Sequence, residues 1–262
     1  MLALAFLLPL LCAPAVAPAT LARARLDGPA LDVAFLDETR LLVLSEDALH
    51  LYRVDGDALV RDGRLLLPGE RVQARWPAGL LRAVPGEGAC WAMSNRRSGA
   101  TLFTLDGQRL AAVAGAEAIP PTALPAGAAP EGVRFLRGSN TLALGASHLL
   151  RLVSSGAAIA PDGTLLLDGQ ADTSGTRAGD ALADLSGGVL ATTAPSPPSE
   201  TDEIRLLRRD ASATHLVLAW PEAGRVRALA ALPQKGRDWL AVATDTDSGS
   251  SLRLVVVPGT DR

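Results

Sequence analysis

Residues 226–244 read VRALAALPQKGRDWLAVAT, which is an apolar run, a short polar turn and a second apolar run. Apolar runs of this length on either side of a glycine-containing turn are typical of a β-hairpin. The turn is PQKGRD, residues 233–238. This stretch therefore predicts two antiparallel strands, and the rest of the chain repeats its pattern.

The hairpin pattern occurs five times along the 262 residues. Its copies start 48, 52, 49 and 47 residues apart. A period of this size, kept across most of a chain, indicates propeller blades or a solenoid. The five segments are 33–45, 81–94, 133–145, 182–193 and 229–244.

The sequence between the hairpins also repeats in phase. The pair Asp55-Gly56 returns as Asp106-Gly107, and RDGRLLLPG (61–69) returns two periods later as PDGTLLLDG (161–169). Asp-Gly between apolar runs is a tight-turn signal. Each period therefore holds about four strands, which favours an antiparallel propeller blade over a solenoid coil.

The last period contains three clear strands, and residues 20–26 (TLARARL) form an additional strand that belongs to no period. We predict that this strand completes the last blade, because an open ring would leave unpaired sheet edges. The predicted fold is an all-β propeller of five four-stranded blades closed by the N-terminal strand, with six blades as the alternative. Proline-rich stretches at 119–132 and 195–203 are predicted to be loops.

The first nineteen residues are predicted to be a signal peptide. Leu2 to Leu11 form an apolar core, and alanine-rich cleavage sites follow it. This core is shorter than the ~20 residues that a membrane span needs. Lipidation of Cys12 is an alternative processing route. The sequence thus predicts one mature domain, residues 20–262, with no integral membrane span, in the periplasm or secreted.

The charge and cysteine content exclude several classes of function. A net charge of −3 argues against nucleic-acid binding, which requires a basic face. Without the signal peptide, Cys90 is the one remaining cysteine, so no intramolecular disulfide forms. Cys90 lies in an apolar strand pattern and is predicted to be a buried thiol.

Three stretches of the hairpins resemble FG-GAP/VCBS-type repeats: GRDWLAVA (236–243), DVAFLDETRLLVLS (32–45) and ALADL (181–185). The resemblance implies a propeller of the kind found on secreted and cell-surface proteins, which mostly bind partners. The calcium loop of these repeats is absent, because no hairpin turn holds three carboxylates. The carboxylates in the turns are Asp37, Glu38, Glu87 and Asp238.

We therefore predict no metal site and no cofactor. A weaker alternative is an adhesion module with one atypical calcium site at DTDSGS (245–250), where Asp245 and Asp247 flank a glycine turn. The three histidines, His50, His148 and His215, form no metal-binding or catalytic motif.

Two classes of function follow from these observations. The first is a non-catalytic binding or assembly module whose partner is a protein or a cell-envelope component. The second is a hydrolase or lyase that acts on a glycan or peptide with groups gathered at the centre of the ring. The sequence assigns no catalytic residue, because the predicted inner strands carry little charge except Arg82 and Arg134.

Two tryptophans are the candidate partner-binding residues. Trp76 and Trp220 each begin a Trp-Pro turn about three periods apart. Such crossover turns are predicted to lie on the same face as the loops between the two middle strands of each blade. Tryptophan is enriched at binding hot spots. The alternative is that each tryptophan packs beneath a blade junction.

Overall fold

A computed structural model of the chain describes residues 17–84, 89–97, 100–106, 109–112, 133–136, 139–144, 147–153, 155–197 and 200–258. These residues form strands, turns and one short 3-10 turn at Ser186–Gly188, without an α-helix. No helix long and apolar enough to cross a bilayer occurs within these ranges. The predicted loop at 119–132 and most of the predicted signal peptide lie outside the described residues.

One sheet contains eight strands, taken from the beginning and the end of the chain. It runs in the order β2-β3-β4-β5-β1-β23-β22-β21. Its strands are β1 (Ala19–Leu26), β2 (Asp32–Phe35), β3 (Arg40–Leu44), β4 (Ala48–Asp55), β5 (Ala58–Leu66), β21 (Arg225–Gln234), β22 (Arg237–Thr246) and β23 (Gly249–Pro258).

The other four sheets follow one another along the chain. The second sheet contains β6 (Gly79–Val84), β7 (Ala89–Ser94), β8 (Ala100–Asp106) and β9 (Arg109–Ala112). The third contains β10 (Val133–Phe135), β11 (Leu142–Leu144) and β12 (Ser147–Leu149). The fourth contains β13 (Arg151–Leu152), β14 (Ala157–Ile159), β15 (Leu165–Leu167) and β16 (Gln170–Ala171). The fifth contains β17 (Leu182–Asp184), β18 (Val189–Thr193), β19 (Glu203–Asp210) and β20 (Ala213–Pro221).

The eight-stranded sheet has two halves, which we call the first sheet (β2–β5) and the last sheet (β21–β23 with β1). Neighbouring strands within each half are antiparallel, whereas β1 and β5 share a single parallel pair, Arg23 with Ala58. This narrow junction separates two groups of four strands, and each group resembles the other four-stranded sheets in size.

The N-terminal strand pairs as the sequence predicts for residues 20–26. β1 lies antiparallel to β23 from the pair Ala19–Val256 to the pair Leu26–Ser250. The side chains of Ala22 and Leu26 are buried in the apolar cluster between the last and first sheets. Strand β1 therefore supplies both the fourth strand of the last sheet and part of its packing surface.

All five predicted hairpins form, as β2–β3, β6–β7, β10–β11, β17–β18 and β21–β22. In the hairpin of β21 and β22, Gly236 has a φ of +78°, a conformation that glycine adopts without steric cost. The third period differs from the prediction of four strands. Its residues form two sheets, since β12 and β13 are separated by a bend at Leu150 and pair with different neighbours.

The sheets pack on one another in a closed sequence, through five apolar clusters built mainly from Leu, Val and Ala. The first sheet packs on the second, and the second packs on the third and fourth through one shared cluster. The fourth packs on the fifth, the fifth on the last, and the last on the first. Antiparallel sheets that follow one another around a ring define a β-propeller.

Removal of β1 is expected to destabilise the ring. A chain that starts at Asp27 exposes the edge of β23 and loses the burial of Ala22 and Leu26, so its melting temperature falls sharply. The single substitution Leu26→Ala costs about 2–5 kcal/mol, measured by urea unfolding. Leu66→Ala is the matched control, because Leu66 is 59% exposed. Equal melting temperatures for the truncated and full mature chains would contradict closure by β1.

Cys90 is expected to be unreactive in the folded protein. It is buried in β7, and burial raises the pKa of its thiol to about 12. The nucleophilic thiolate is therefore scarce at pH 8. A chromogenic disulfide reagent at pH 8 should label Cys90 in urea and leave it unlabelled without urea. Rapid labelling of the folded protein would contradict this assignment.

Candidate functional site

A single guanidinium group joins five sheets at the centre of the ring. Arg151 is the first residue of β13, and its side chain is mostly buried. It donates hydrogen bonds to four backbone carbonyls and contacts one carboxylate oxygen. The acceptors are the carbonyls of Leu31 (2.8 Å), Asp180 (2.9 Å), Gly79 (3.0 Å) and Arg227 (3.1 Å), and Oδ1 of Asp32 (3.2 Å).

These carbonyls lie at or beside the start of the first strand of four other sheets, namely β2, β6, β17 and β21. We call this arrangement the Arg151 hub. A guanidinium carries five N–H donors in one plane and no acceptor. The hub has five acceptors, so every donor has a partner and the positive charge lies among carbonyl dipoles. The hub therefore fixes the relative positions of five first strands.

Asp32 extends the hub to the neighbouring strand. Its carboxylate accepts hydrogen bonds from the backbone N–H of Leu81 (2.7 Å) and of Val33 (3.0 Å), besides its contact with Arg151. Burial raises the pKa of Asp32, and the charge of Arg151 opposes this effect. Asp32 thus ties the first sheet to β6 of the second sheet.

A cavity of about 150 Å³ opens beside the hub, and we call it the mouth cavity. Its charged lining residues are engaged in ion pairs. Asp180 pairs with Arg225 (3.2 Å), Arg227 with Asp245 (2.5 Å), and Glu46 with Arg96 (3.5 Å). The lining residues also include Pro77, Ala78 and Gly79, which follow Trp76. The mouth cavity therefore presents paired charges and backbone, without a free acid or base among these lining residues.

Trp76 lies on the same face of the ring as the mouth cavity. Its side chain is 62% exposed, and the Arg75 guanidinium carbon lies 5.6 Å from the ring centroid. The Trp76 carbonyl accepts a hydrogen bond from Nδ2 of Asn95 (2.7 Å), whose Oδ1 accepts from the N–H of Ala78 (2.9 Å). Because Asn95 follows β7, this crossover turn meets the loop between two middle strands, as the sequence predicts.

Trp220 occupies a different environment. It is buried within β20, in the cluster between the fifth and last sheets, and its Nε1 donates to Oε1 of Glu222 (3.0 Å). Glu222 is in turn paired with Arg253. The Trp-Pro repeat in the sequence therefore covers one loop residue and one strand residue. Trp220 thus packs between two sheets, as in the alternative given above, and its side chain is not available on the surface.

Two of the candidate calcium residues, Asp238 and Asp245, accept hydrogen bonds from protein donors. Asp238 accepts from both the N–H and the Oγ of Ser186, each at 2.8 Å, and so ties the last sheet to the fifth. In the turn at 245–250, Asp245 accepts from Ser250 Oγ (2.6 Å) besides Arg227. Glu87 lies outside the described residues. In the described part of the chain, no group of three or more His, Cys, Asp or Glu is placed to hold a metal ion.

The three histidines lie in different sheets. His50 is in β4, His148 in β12 and His215 in β20, and the last two are exposed. Nε2 of His50 is 3.3 Å from Ser45 Oγ, in a cleft of about 360 Å³. However, Ser45 Oγ donates to the carbonyl of Ala48 (3.0 Å), and Nδ1 of His50 has no partner among the described residues.

A serine–histidine nucleophile needs an acid that orients the second ring nitrogen. The Ser45–His50 pair lacks such an acid within the described residues, and the Ser45 hydroxyl donates its proton to the Ala48 carbonyl in a turn. Burial lowers the pKa of His50, and the nearby charges of Arg61 and Arg64 lower it further, which favours the neutral ring. Among the described residues, the pair is therefore part of a turn and belongs to no catalytic triad.

The hub could hardly be predicted from the sequence. Arg151 is a single charge inside the apolar run HLLRLV (148–153), and that interruption is the signal that could have identified it. Arg82, which the sequence places on an inner strand, lies in β6 near Asp32 and Arg151. The side chain of Arg134 lies outside the described residues.

No protein-family model matches the sequence, and no curated protein matches it. The resemblance to FG-GAP/VCBS repeats therefore stays a prediction.

Several solved structures resemble the fold. A chain of the mitotic checkpoint complex has a TM-score of 0.47 at 13% identity, with 98% of this chain and 99% of that chain covered. The WD40 repeats of RRP9 have a TM-score of 0.47 at 12% identity, covering 92% and 100%. RS223-Beta-xylosidase has a TM-score of 0.44 at 10% identity, covering 89% and 94%. These similarities carry no functional information about this chain.

Loss of the hub is expected to destabilise the whole ring. Arg151→Met leaves Asp32 as a buried carboxylate without its cation and removes the donors of four carbonyls. Breaking a buried ion pair from one side costs about 3–5 kcal/mol, which urea unfolding would measure. Arg208→Met, at an exposed position of β19, is the control and should change stability by less than about 0.5 kcal/mol. Equal stability of the two variants would contradict the role of the hub.

Proposed function

We propose that this chain is a non-catalytic binding or assembly module, and that its partner is a protein or a cell-envelope component. The observation that carries the proposal is the exposed Trp76 on the face that holds the mouth cavity. Among the described residues, Trp76 is the most exposed of the large hydrophobic side chains.

The surroundings of Trp76 favour binding. Trp and Arg are the residues most enriched at interface hot spots, and Arg75 lies against the Trp76 ring. Asn95 anchors the backbone on both sides of Pro77, so the turn has a fixed shape before a partner arrives. A preorganised contact residue loses little conformational entropy on binding, which leaves more of the contact energy for affinity.

The mouth cavity supports a non-catalytic role. General acid–base or nucleophilic catalysis requires a group that is free to exchange a proton or attack a substrate. The ionisable groups named at the mouth are all in ion pairs, and the Arg151 donors are all used by the hub.

We further propose that residues 1–19 direct export, so that the protein acts in the periplasm or as a secreted protein. Cleavage after Ala19 would leave residues 20–26 of β1 on the mature chain, where they pair with β23. N-terminal sequencing of protein from the extracytoplasmic fraction tests this, and a cytoplasmic product with an intact N-terminus would contradict it.

For the blade number, we propose a five-membered inner wall formed by β2, β6, β13, β17 and β21. Its support is that all five strands begin at the Arg151 hub. The three-stranded sheet β10–β12 then lies between the second and fourth sheets as an insertion within the third period. If β10 also lines the axis, the count becomes six.

The role of Trp76 can be tested with two tryptophan variants. Trp76→Ala should fold with unchanged stability and lose the partner, because its side chain is exposed. Trp220→Ala should lose about 3–5 kcal/mol of stability, because its side chain is buried. Mature protein fixed to beads would be incubated with envelope extract of the source cells, and bound proteins quantified by mass spectrometry.

Leu66→Ala is the control for exposed apolar surface, since Leu66 is exposed to a similar degree as Trp76 but lies at the end of β5. The proposal requires a protein that wild type and Leu66→Ala capture equally and Trp76→Ala does not. Identical capture by all three forms, or turnover of glycan or peptide substrates by the wild type, would contradict it.

A further inference from the structure

Two of the three guanidinium nitrogens of one arginine near the axis are buried without a hydrogen-bond partner. Arg82, in β6, donates from Nη1 to the carbonyl of Leu81 at 2.9 Å. Its Nε and Nη2 atoms are shielded from solvent and have no hydrogen-bond partner among the described residues. No other arginine in the described part of the chain has both of these atoms buried and unpaired.

The two unpaired atoms lie on the same edge of the guanidinium. Nε–H and the outward Nη2–H point in parallel directions, and their spacing matches the two oxygens of a carboxylate. This edge is the one that arginine uses for bidentate recognition of planar anions. The geometry of the unused donors thus specifies both the charge and the shape of a ligand.

The carboxylates close to Arg82 do not fill this edge. Asp32 and Asp184 are the nearby acids that act on its charge, and Arg151 is the nearby cation. Asp32 is already bound by Leu81, Val33 and Arg151. Asp184 accepts from the N–H and Oγ of Ser155, at 2.8 and 2.5 Å. Both acids therefore compensate the charge of Arg82 at a distance without bonding to its free edge.

An unsatisfied buried cation is costly, because its donors have lost water and gained nothing in exchange. Arg82 as a whole residue has intermediate exposure, so part of its side chain reaches the solvent. An inorganic tetrahedral anion can also present two oxygens to this edge. However, it is bulkier than a small carboxylate and carries a larger shell of water, both of which disfavour it at buried donors.

We propose that the Nε–Nη2 edge of Arg82 is a binding site for a small carboxylate anion near the axis of the ring. The site is distinct from the Trp76 surface, because its donors are buried and can contact only a ligand of a few atoms. It does not depend on the proposed partner-binding function, and either proposal can fail alone.

The test titrates the mature protein with sodium acetate at pH 7 and constant ionic strength, while arginine Nε–H resonances are followed by NMR. The Arg82 resonance, assigned through the backbone of the wild type, should shift downfield and saturate. Sodium chloride and sodium phosphate at the same ionic strength should shift it less. Arg82→Lys keeps the charge but loses the planar fork, so the acetate-dependent increase in melting temperature should need at least tenfold more acetate.

Arg82→Met should lose the acetate response entirely, and Arg208→Met should respond as the wild type does. The wild-type titration needs no variant, so a folding defect in Arg82→Met leaves the test intact. The proposal is overturned if the wild-type Arg82 resonance does not move with acetate, or if Arg82→Met keeps the acetate-dependent stabilisation. A saturable response to phosphate without one to acetate would overturn the assignment to a carboxylate.

Discussion

The placement of one guanidinium at the centre of the ring is the constraint on which the other features depend. Four backbone carbonyls, each at or beside the start of a first strand, accept hydrogen bonds from Arg151. An arginine can serve five acceptors in one plane, which no other side chain can do. The geometry of that plane therefore determines how far each first strand stands from the axis.

Polar contacts also connect neighbouring sheets away from the axis. Asp32 accepts a hydrogen bond from the second sheet, Asp184 from a loop of the fourth sheet, and Asp238 from a turn of the fifth sheet. Each of these carboxylates accepts at least one backbone N–H, which a leucine-rich interface alone could not satisfy. Apolar packing brings the sheets together without strict direction, and the aspartates fix their register. A turn aspartate that resembled part of a calcium loop thus acts as a tie between sheets.

The repeat period and the hairpins could be predicted from the sequence, because alternating apolar runs and glycine turns are local signals. The pairing of β1 with β23 could also be predicted, since an unassigned strand and an incomplete sheet complement each other. The division of the third period into two sheets could not be predicted, because a bend at Leu150 redirects the chain without changing its apolar character. The role of Arg151 could not be predicted either, because its acceptors are distant in sequence. The same holds for the two Trp-Pro dipeptides, which are identical in sequence although Trp220 is buried and Trp76 is exposed.

The pairing of β1 with β23 has a consequence for the order of events in folding. Its partners are more than two hundred residues apart, as in Ala19 with Val256, so this contact has one of the longest sequence separations in the chain. Contacts of this kind form late, because a long segment must be ordered before they are gained. During synthesis β1 is made long before β23 and must remain without this partner until the hairpin of β22 and β23 is available. Until then, the nascent chain carries open strand edges, which are the surfaces through which β-proteins aggregate and which chaperones protect.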